Sequence, residues 1–412
     1  MPDFNEIEKN ALRLVAQHQE ELEATALYNT DKVIQAFRKC RVSDYYLKPS
    51  TGYGYSDTGR DSLDAIYAEI FKTEAALVRS QFVSGTHALA VALLGNLKYG
   101  DELIAATGTP YDTMQTIIGA PVKTPGSLVD LGVRYREIPM RGALADVDSL
   151  LKNITPATKM IHIQRSCGYS SERETINIAE IGRICRAAKA VKKDIICFVD
   201  NCYGEFTEKL EPTEVGADLV AGSLIKNPGG GLAPTGGYIA GRADLVENAS
   251  YRLTVPGLGG EMGATLGDTA REFYQGLFLA PHVVMQAVKT AVFAAAVFAS
   301  LGYATKPAAS AKRSDIIQAI TLGSKKRLCD FCVAVQRNSP VDAHVDPVPA
   351  PLPGYQDEIV MAAGTFVQGA SIELSADGPC RDPYNVFMQG GLTFEHGRLA
   401  VMAAAKSVGP KA

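Results

Sequence analysis

Gly222-Ser223-Leu224-Ile225-Lys226-Asn227-Pro228-Gly229-Gly230-Gly231 puts a lysine in a loop of small residues directly after an apolar run. Residues 195–199 and 218–221 read as short buried parallel strands, because β-branched residues fill them and turn residues bound them. Lys226 therefore stands just past a strand end. A lysine normally stays in water, so one held among glycines, with Ser223 close before it, suggests a task for its amine. A desolvated amine of lowered pKa attacks a carbonyl and can hold an aldehyde cofactor as an imine. A surface lysine in a flexible loop is the plain alternative.

Upstream, Cys197-Phe198-Val199-Asp200-Asn201 ends an apolar strand in an acid, the usual place for a ligand-facing group in an open α/β sheet. Pyridoxal phosphate acts as an electron sink only while its ring nitrogen stays protonated, which a carboxylate partner enforces. Asp200 fits that role, although it or Asn201 could equally cap a helix. Earlier still, Ser84-Gly85-Thr86 opens the alanine- and leucine-rich run 88–95. Backbone N–H groups and two hydroxyls meet there at the positive end of a helix dipole, which makes a phosphate cradle as readily as an N-cap. Strand and helix alternate from there to Asp200, which argues for a mostly parallel sheet with helices on both faces.

Taken in order, Tyr53-Gly54-Tyr55-Ser56, Ser84-Gly85 at a helix start, Tyr111, Asp200-Asn201 after a strand and Ser223-x-x-Lys226 resemble the pyridoxal-phosphate enzymes of fold type I. Within them the chain looks most like the trans-sulfuration branch of cystathionine lyases and methionine gamma-lyase. Gln164-Arg165-Ser166, the glycine run after Lys226 and Gln389-Gly390-Gly391-Leu392-Thr393 narrow the resemblance to the branch called aluminium resistance or methionine gamma-lyase-like proteins. It covers nearly the whole chain.

The resemblance implies an α/β fold of the aspartate aminotransferase type: a large domain on a mostly parallel seven-stranded sheet flanked by helices, plus a smaller C-terminal α/β domain. It implies pyridoxal 5'-phosphate as cofactor, held by Lys226, Asp200, Ser84, Gly85, Thr86 and Ser223, with Tyr111 stacked on its ring and serving catalysis. It also implies a homodimer or homotetramer in which Tyr55 reaches the partner's phosphate. The family arginine two residues after that tyrosine is Asp57 here, so Arg60 is the substitute. The family asparagine for the phenolic oxygen is absent, which leaves Gln164, Arg165 or Ser166, with Arg165 also open to substrate. Arg381 is the expected fork for a substrate carboxylate, and Arg398 competes with it. The implied activity is a carbon–sulfur lyase acting on a sulfur-containing amino acid such as methionine or cystathionine. A pyridoxal-phosphate aminotransferase or other amino-acid lyase, and a non-catalytic cofactor-binding protein in metal (aluminium) tolerance, are the alternatives.

The chain as a whole agrees with this. Its 412 residues exceed one usual core, and divide into a helical segment (1–50), a large domain (51–303) and a small one (304–412). With 46% hydrophobic residues, 21% charged residues and a net charge of -4, the composition is that of a soluble globular protein with no electrostatic footprint for nucleic acid. Eight cysteines without a secretory leader suggest a reducing cytoplasm. Cys329 and Cys332 have metal or redox spacing, but no second pair or nearby histidine completes a four-ligand site, so no metal is expected. The triple glycine lacks the Gly-Lys-Ser/Thr of a Walker loop. Residues 290–301 are too few for the about 20 that a bilayer requires and read as a buried helix. Residues 5–40 read as two amphipathic helices, 63–77 as another, and a long helix is expected beyond Pro281.

Overall fold

The computed structural model describes residues 2–170 and 173–411. Helix α1 (Phe4–Lys39) is one continuous helix where two were expected. Asp3 caps it, accepting from the N–H groups of Asn5 and Glu6, and no glycine or proline interrupts it before Cys40. Its buried stripe, from Ala11 and Val15 to Val33 and Ala36, lies along the later helix of residues 269–300. Helix α2 (Thr58–Phe71), capped by Asp57, stops short of the expected 77: Lys72 turns left-handed (φ 52°) and the chain leaves as strand β1 (Ala75–Arg79).

The large sheet continues with β2 (Glu102–Ala105) and β3 (Arg134–Glu137). After a small hairpin, β4 (Met140–Arg141) and β5 (Leu144–Ala145), come β6 (Thr158–Gln164), β7 (Ile196–Asp200), β8 (Leu219–Ser223) and β9 (Gly237–Gly241). Its seven strands run in the order β1-β9-β8-β7-β6-β2-β3. β9 is antiparallel to both neighbours and the other pairs are parallel. Side chains alternate between the two faces, and two separate apolar clusters result. Leu103, Met160, Phe198 and Leu219 pack under α3 (Gly85–Asn96) and α7 (Ala243–Leu253). Ile104, Ile161, Val199 and Val220 face the cluster that holds α6 (Ile178–Val191) and α8 (Thr269–Ser300), while α4 (Asp112–Ile118) and α5 (Val147–Asn153) complete the helices between strands. Parallel strands buried on both faces are what the apolar runs at 195–199 and 218–221 required.

Helix α8 begins at Thr269, so Pro281 lies inside it rather than before it. It is long and apolar enough to cross a membrane, yet most of it is buried: Ala291 to Phe298 are at most 3% exposed, packed as the spine between the two sheets. The second sheet is built from β10 (Ala304–Lys306), β11 (Ile317–Thr321), β12 (Ile359–Ala362), β13 (Ser375–Pro379) and β14 (Asn385–Gln389), all antiparallel in the order β10-β11-β14-β13-β12. Helix α9 (Lys325–Arg337) backs it, and α10 (Phe394–Val408) packs on α9 and α8. Cys332 points into this packing, its thiol toward the Ala376 carbonyl.

Candidate active site

The carboxyl ends of β6, β7 and β8 open into a cavity of about 240 Å³ whose far wall is the second sheet. This is where an open α/β sheet presents ligand-facing groups. Asp200, the last residue of β7, lies on the same side as Ile196 and Phe198 and is 2% exposed, accepting from the Cys202 N–H at 3.1 Å. Burial pushes its carboxyl above the usual range, while Lys226 and the Cys202 N–H pull against that rise.

Lys226 follows β8 by one turn. Asn227 fixes that turn to the loop after β7, its Nδ2 donating to the carbonyls of Tyr203 (3.0 Å) and Glu205 (2.9 Å). The Lys226 Nζ rests 3.9 Å from the centre of the Tyr203 ring, a cation–π distance. Tyr203 itself is left-handed at φ 73°, a conformation costing about 1–3 kcal/mol that clusters at functional sites. Contrary to the lowered pKa expected of this lysine, its amine is held well above the ordinary value. Burial disfavours the ammonium, but the acidic groups of Cys202, Tyr203, Tyr111 and Asp200 together outweigh it.

The glycines after Lys226 serve packing. Gly229 and Gly276 of α8 approach backbone to backbone, so a Cβ on Gly276 would strike the main chain of Gly229. Gly276→Ala is therefore expected to lower stability by about 1–3 kcal/mol, read as a fall in the thermal unfolding midpoint. An unchanged midpoint would show that the lysine turn does not need this seat.

On the opposite side, the Tyr111 hydroxyl meets Thr86 Oγ1 at 2.7 Å, and the Tyr111 N–H donates to Gln164 Oε1 at 2.9 Å. Arg173 laces this loop to the end of β6, donating to the carbonyls of Thr107 and Thr109 (both 3.1 Å) and of Cys167 (2.9 Å). Ser84 caps α3 through the His87 N–H. Gly85 lies against Ser223, where an added Cβ would come within 2.7 Å of the serine Cβ. Ser223 Oγ is buried without a hydrogen-bond partner among the described residues, so a hydroxyl without a protein partner stands beside the opening turn of α3.

Three expected arginines are elsewhere. Arg165 is fully buried behind the cavity wall, bound to Asn201 (2.8 Å) and Glu208 (2.8 Å), with Glu211 at 3.9 Å. It has no face to offer a substrate. Arg60 is 3% exposed and spends its guanidinium on the carbonyls of Gly54 and Gly263 and on Asp61. Within its own chain it braces the tyrosine loop. Arg381 pairs with Asp357 at 2.7 Å beside a neighbouring groove, and its rival Arg398 pairs with Glu8 at 2.6 Å. Of the three residues proposed for the phenolic oxygen, only Ser166 lines the cavity; Gln164 is committed to Tyr111 and to the Ser166 carbonyl. Tyr55 is 59% exposed on the outer surface, beside Tyr53. Three tyrosines (169, 203, 355) and Asp377, none of them given a role by the sequence reading, line the cavity instead.

This sheet order, the antiparallel β9 and a lysine just beyond β8 define a pyridoxal-phosphate enzyme architecture of fold type I. The fold is shared with the pyridoxal-5'-phosphate-dependent protein YhfS of Escherichia coli, at TM-score 0.61 and 16% identity over 92% of this chain and 94% of that one. The model of the methionine gamma-lyase family matches residues 4–409, and the chain belongs to that family. It is 50% identical to protein YnbB of Bacillus subtilis over 96% of this chain and 94% of that protein. It is also similar to the crystal structure of a carbon–sulfur lyase involved in aluminium resistance from Clostridium novyi, with TM-score 0.92, 45% identity, and 97% and 94% of the two chains covered.

Proposed function

We propose that the protein is a pyridoxal-phosphate-dependent carbon–sulfur lyase acting on a sulfur-containing amino acid. The observation that carries this reading is the cavity in which an amine (Lys226), a buried carboxylate (Asp200) and an aromatic hydroxyl (Tyr111) converge, inside a chain of the methionine gamma-lyase family. Pyridoxal phosphate, when bound, supplies an electron sink for negative charge at the substrate α-carbon. The residues present fit it. Lys226 is the amine that would hold the aldehyde and, as a free amine, would move the proton at the α-carbon. Asp200 would keep the ring nitrogen protonated, and its position on the α3 side of β7 suits that task. The opening turn of α3, with Ser84, Gly85 and Thr86, and the Ser223 hydroxyl, unpartnered among the described residues, would form the phosphate cradle. Tyr111, anchored by Thr86 and Gln164, packs the ring.

Elimination from such a substrate, followed by hydrolysis of the resulting imine by one water, yields a keto acid, ammonia and a thiol, the last being hydrogen sulfide where cysteine is the substrate. Purified protein incubated with methionine, cystathionine and cysteine should release keto acid and thiol from at least one. Silence on all three with cofactor bound would count against the lyase reading. The raised pKa of Lys226 adds a prediction. Only the neutral amine attacks, and below its pKa the neutral fraction grows about tenfold per pH unit. Loading of pyridoxal phosphate onto the cofactor-free protein should therefore quicken steeply from pH 7 to 9, followed by absorbance. A flat profile would show that the lysine is already neutral.

A homodimer or homotetramer with shared sites is part of this proposal. Tyr53 and Tyr55, 67% and 59% exposed, sit on a loop tied to residues 263–265, near which Leu258 and Leu266 are also exposed. Such an apolar group on a small loop pair suits a partner subunit. A cytoplasmic setting suits the eight free cysteines.

A further inference from the structure

A second crevice, of about 590 Å³, opens on the α6 and α8 face of the large sheet, where α1 and the first turn of α6 meet α8. Leu22 of α1, Ile178 of α6, Val215, and Val288 and Val292 of α8 give it an apolar lining. Arg186, Lys209, Lys312 and Arg313 line it too, against the acids Glu21 and Glu208. Both acids are already engaged. Glu21 pairs with Lys312 at 2.9 Å, and Glu208 pairs with Arg165 at 2.8 Å while accepting from the Ile178 N–H at 3.1 Å. Arg186 is exposed and has no ion-pair partner among the described residues, and Lys209 has the Tyr28 ring at 5.8 Å. Positive charge therefore gathers here, in a chain whose net charge is -4.

Arg313 is the buried member of this group, 5% exposed. Its Nη1 donates to Gln318 Oε1 at 2.8 Å and its Nη2 to the Ala308 carbonyl at 3.4 Å, whereas Nε is buried without a partner among the described residues. Burial pushes the guanidinium down to about 10, and Asp315 pulls against that fall. Asp315 is itself turned to the Ile317 N–H at 3.1 Å and to the Thr175 hydroxyl. A buried charge without an ion-pair partner is costly, and an anion set against Arg313 would offset that cost through a charge-assisted hydrogen bond. Apolar walls with a few convergent polar groups are the usual make-up of a small-molecule site. One buried guanidinium beside aliphatic side chains matches one negative charge on an aliphatic body. A phosphate dianion would bring more acceptor oxygens than the buried donors meet.

We infer that this crevice is a binding site for an aliphatic monocarboxylate, its carboxylate on Arg313, with Arg186 and Lys209 at the entrance and its chain along Leu22, Val288 and Val292. None of these residues belongs to the cofactor cavity, so the site stands whether or not the lyase reading does.

The test is isothermal titration calorimetry on the full chain, with and without added pyridoxal phosphate, using octanoate, octan-1-ol and inorganic phosphate as probes. Octanoate should bind at one site about 10- to 100-fold more tightly than octan-1-ol, the worth of a charged hydrogen bond. Equimolar phosphate should not displace it, and the cofactor should make no difference. Arg313→Met keeps an apolar stem without the charge and should bring the two ligands close to equal affinity. Ala179→Trp, at an exposed position lining the crevice, should block octanoate by filling the space. It leaves Arg313 and its hydrogen bonds in place, so it decides the matter if Arg313→Met unfolds. Equal binding of octanoate and octan-1-ol, displacement by phosphate, or unchanged octanoate binding in Ala179→Trp overturns the assignment. So does a folded Arg313→Met protein that keeps the preference, or binding seen only without cofactor, which would put octanoate in the cofactor cavity.

Discussion

Replacing Lys226 by alanine is expected to abolish covalent retention of pyridoxal phosphate and to cut keto acid release by about 10³- to 10⁴-fold, the scale of a lost nucleophile and general base. The side chain is half-buried, and its amine touches the Tyr203 ring without a direct ion-pair partner among the described residues, so the fold should survive the truncation. Lys226→Arg separates charge from nucleophilicity. Arginine stays protonated and cannot attack an aldehyde, yet it preserves a cation near Asp200. It should therefore be as inactive as the alanine variant. An arginine variant with substantial activity would show that the amine contributes only its charge. Gel filtration followed by absorbance, with a keto acid assay, measures both quantities.

The second large effect is at Asp200. Asp200→Asn should keep the hydrogen bond from the Cys202 N–H, because an amide oxygen can accept it, but it removes the charge that opposes a protonated ring nitrogen. Loss of a buried charge partner costs about 2–5 kcal/mol, so kcat/KM should fall by about 10²- to 10³-fold while cofactor remains attached to Lys226. The stability consequence runs the other way. Burial raises the folded carboxyl pKa above its unfolded value, so the native state of the cofactor-free protein loses stability as pH rises from the unfolded pKa through the folded one. The neutral amide escapes this loss, and the cofactor-free variant should unfold at neutral pH no earlier than the wild type. A markedly lower midpoint together with lost activity would assign Asp200 to the scaffold instead.

Much of this site is legible in the sequence alone, for local reasons. Lys226 and Asp200 each follow an apolar strand, and the turn residues beside them leave few other conformations. The parallel sheet follows from runs apolar on both faces. The misplacements have a common physical origin. Arg165 and Arg381 match ligand roles by position in the chain, yet each is captured by a carboxylate of its own chain: Glu208 and Asp357. Which acid claims an arginine depends on tertiary neighbours that spacing does not reveal. Asp377 is hidden for the converse reason. It precedes Gly378-Pro379, a pair common in turns, yet it lies in a paired strand facing across the cavity. The break after α2 depends on the left-handed Lys72, which no residue preference announces, and α1 runs on as one helix because its buried stripe continues along α8.

The central claim is that one amine, that of Lys226, holds the cofactor. Reducing the loaded protein with sodium borohydride, digesting it and mapping the pyridoxyl group by mass spectrometry tests this most directly. The account predicts a single modified peptide carrying the group on Lys226. A pyridoxyl group on any other lysine, or on none after saturation with pyridoxal phosphate, would contradict it.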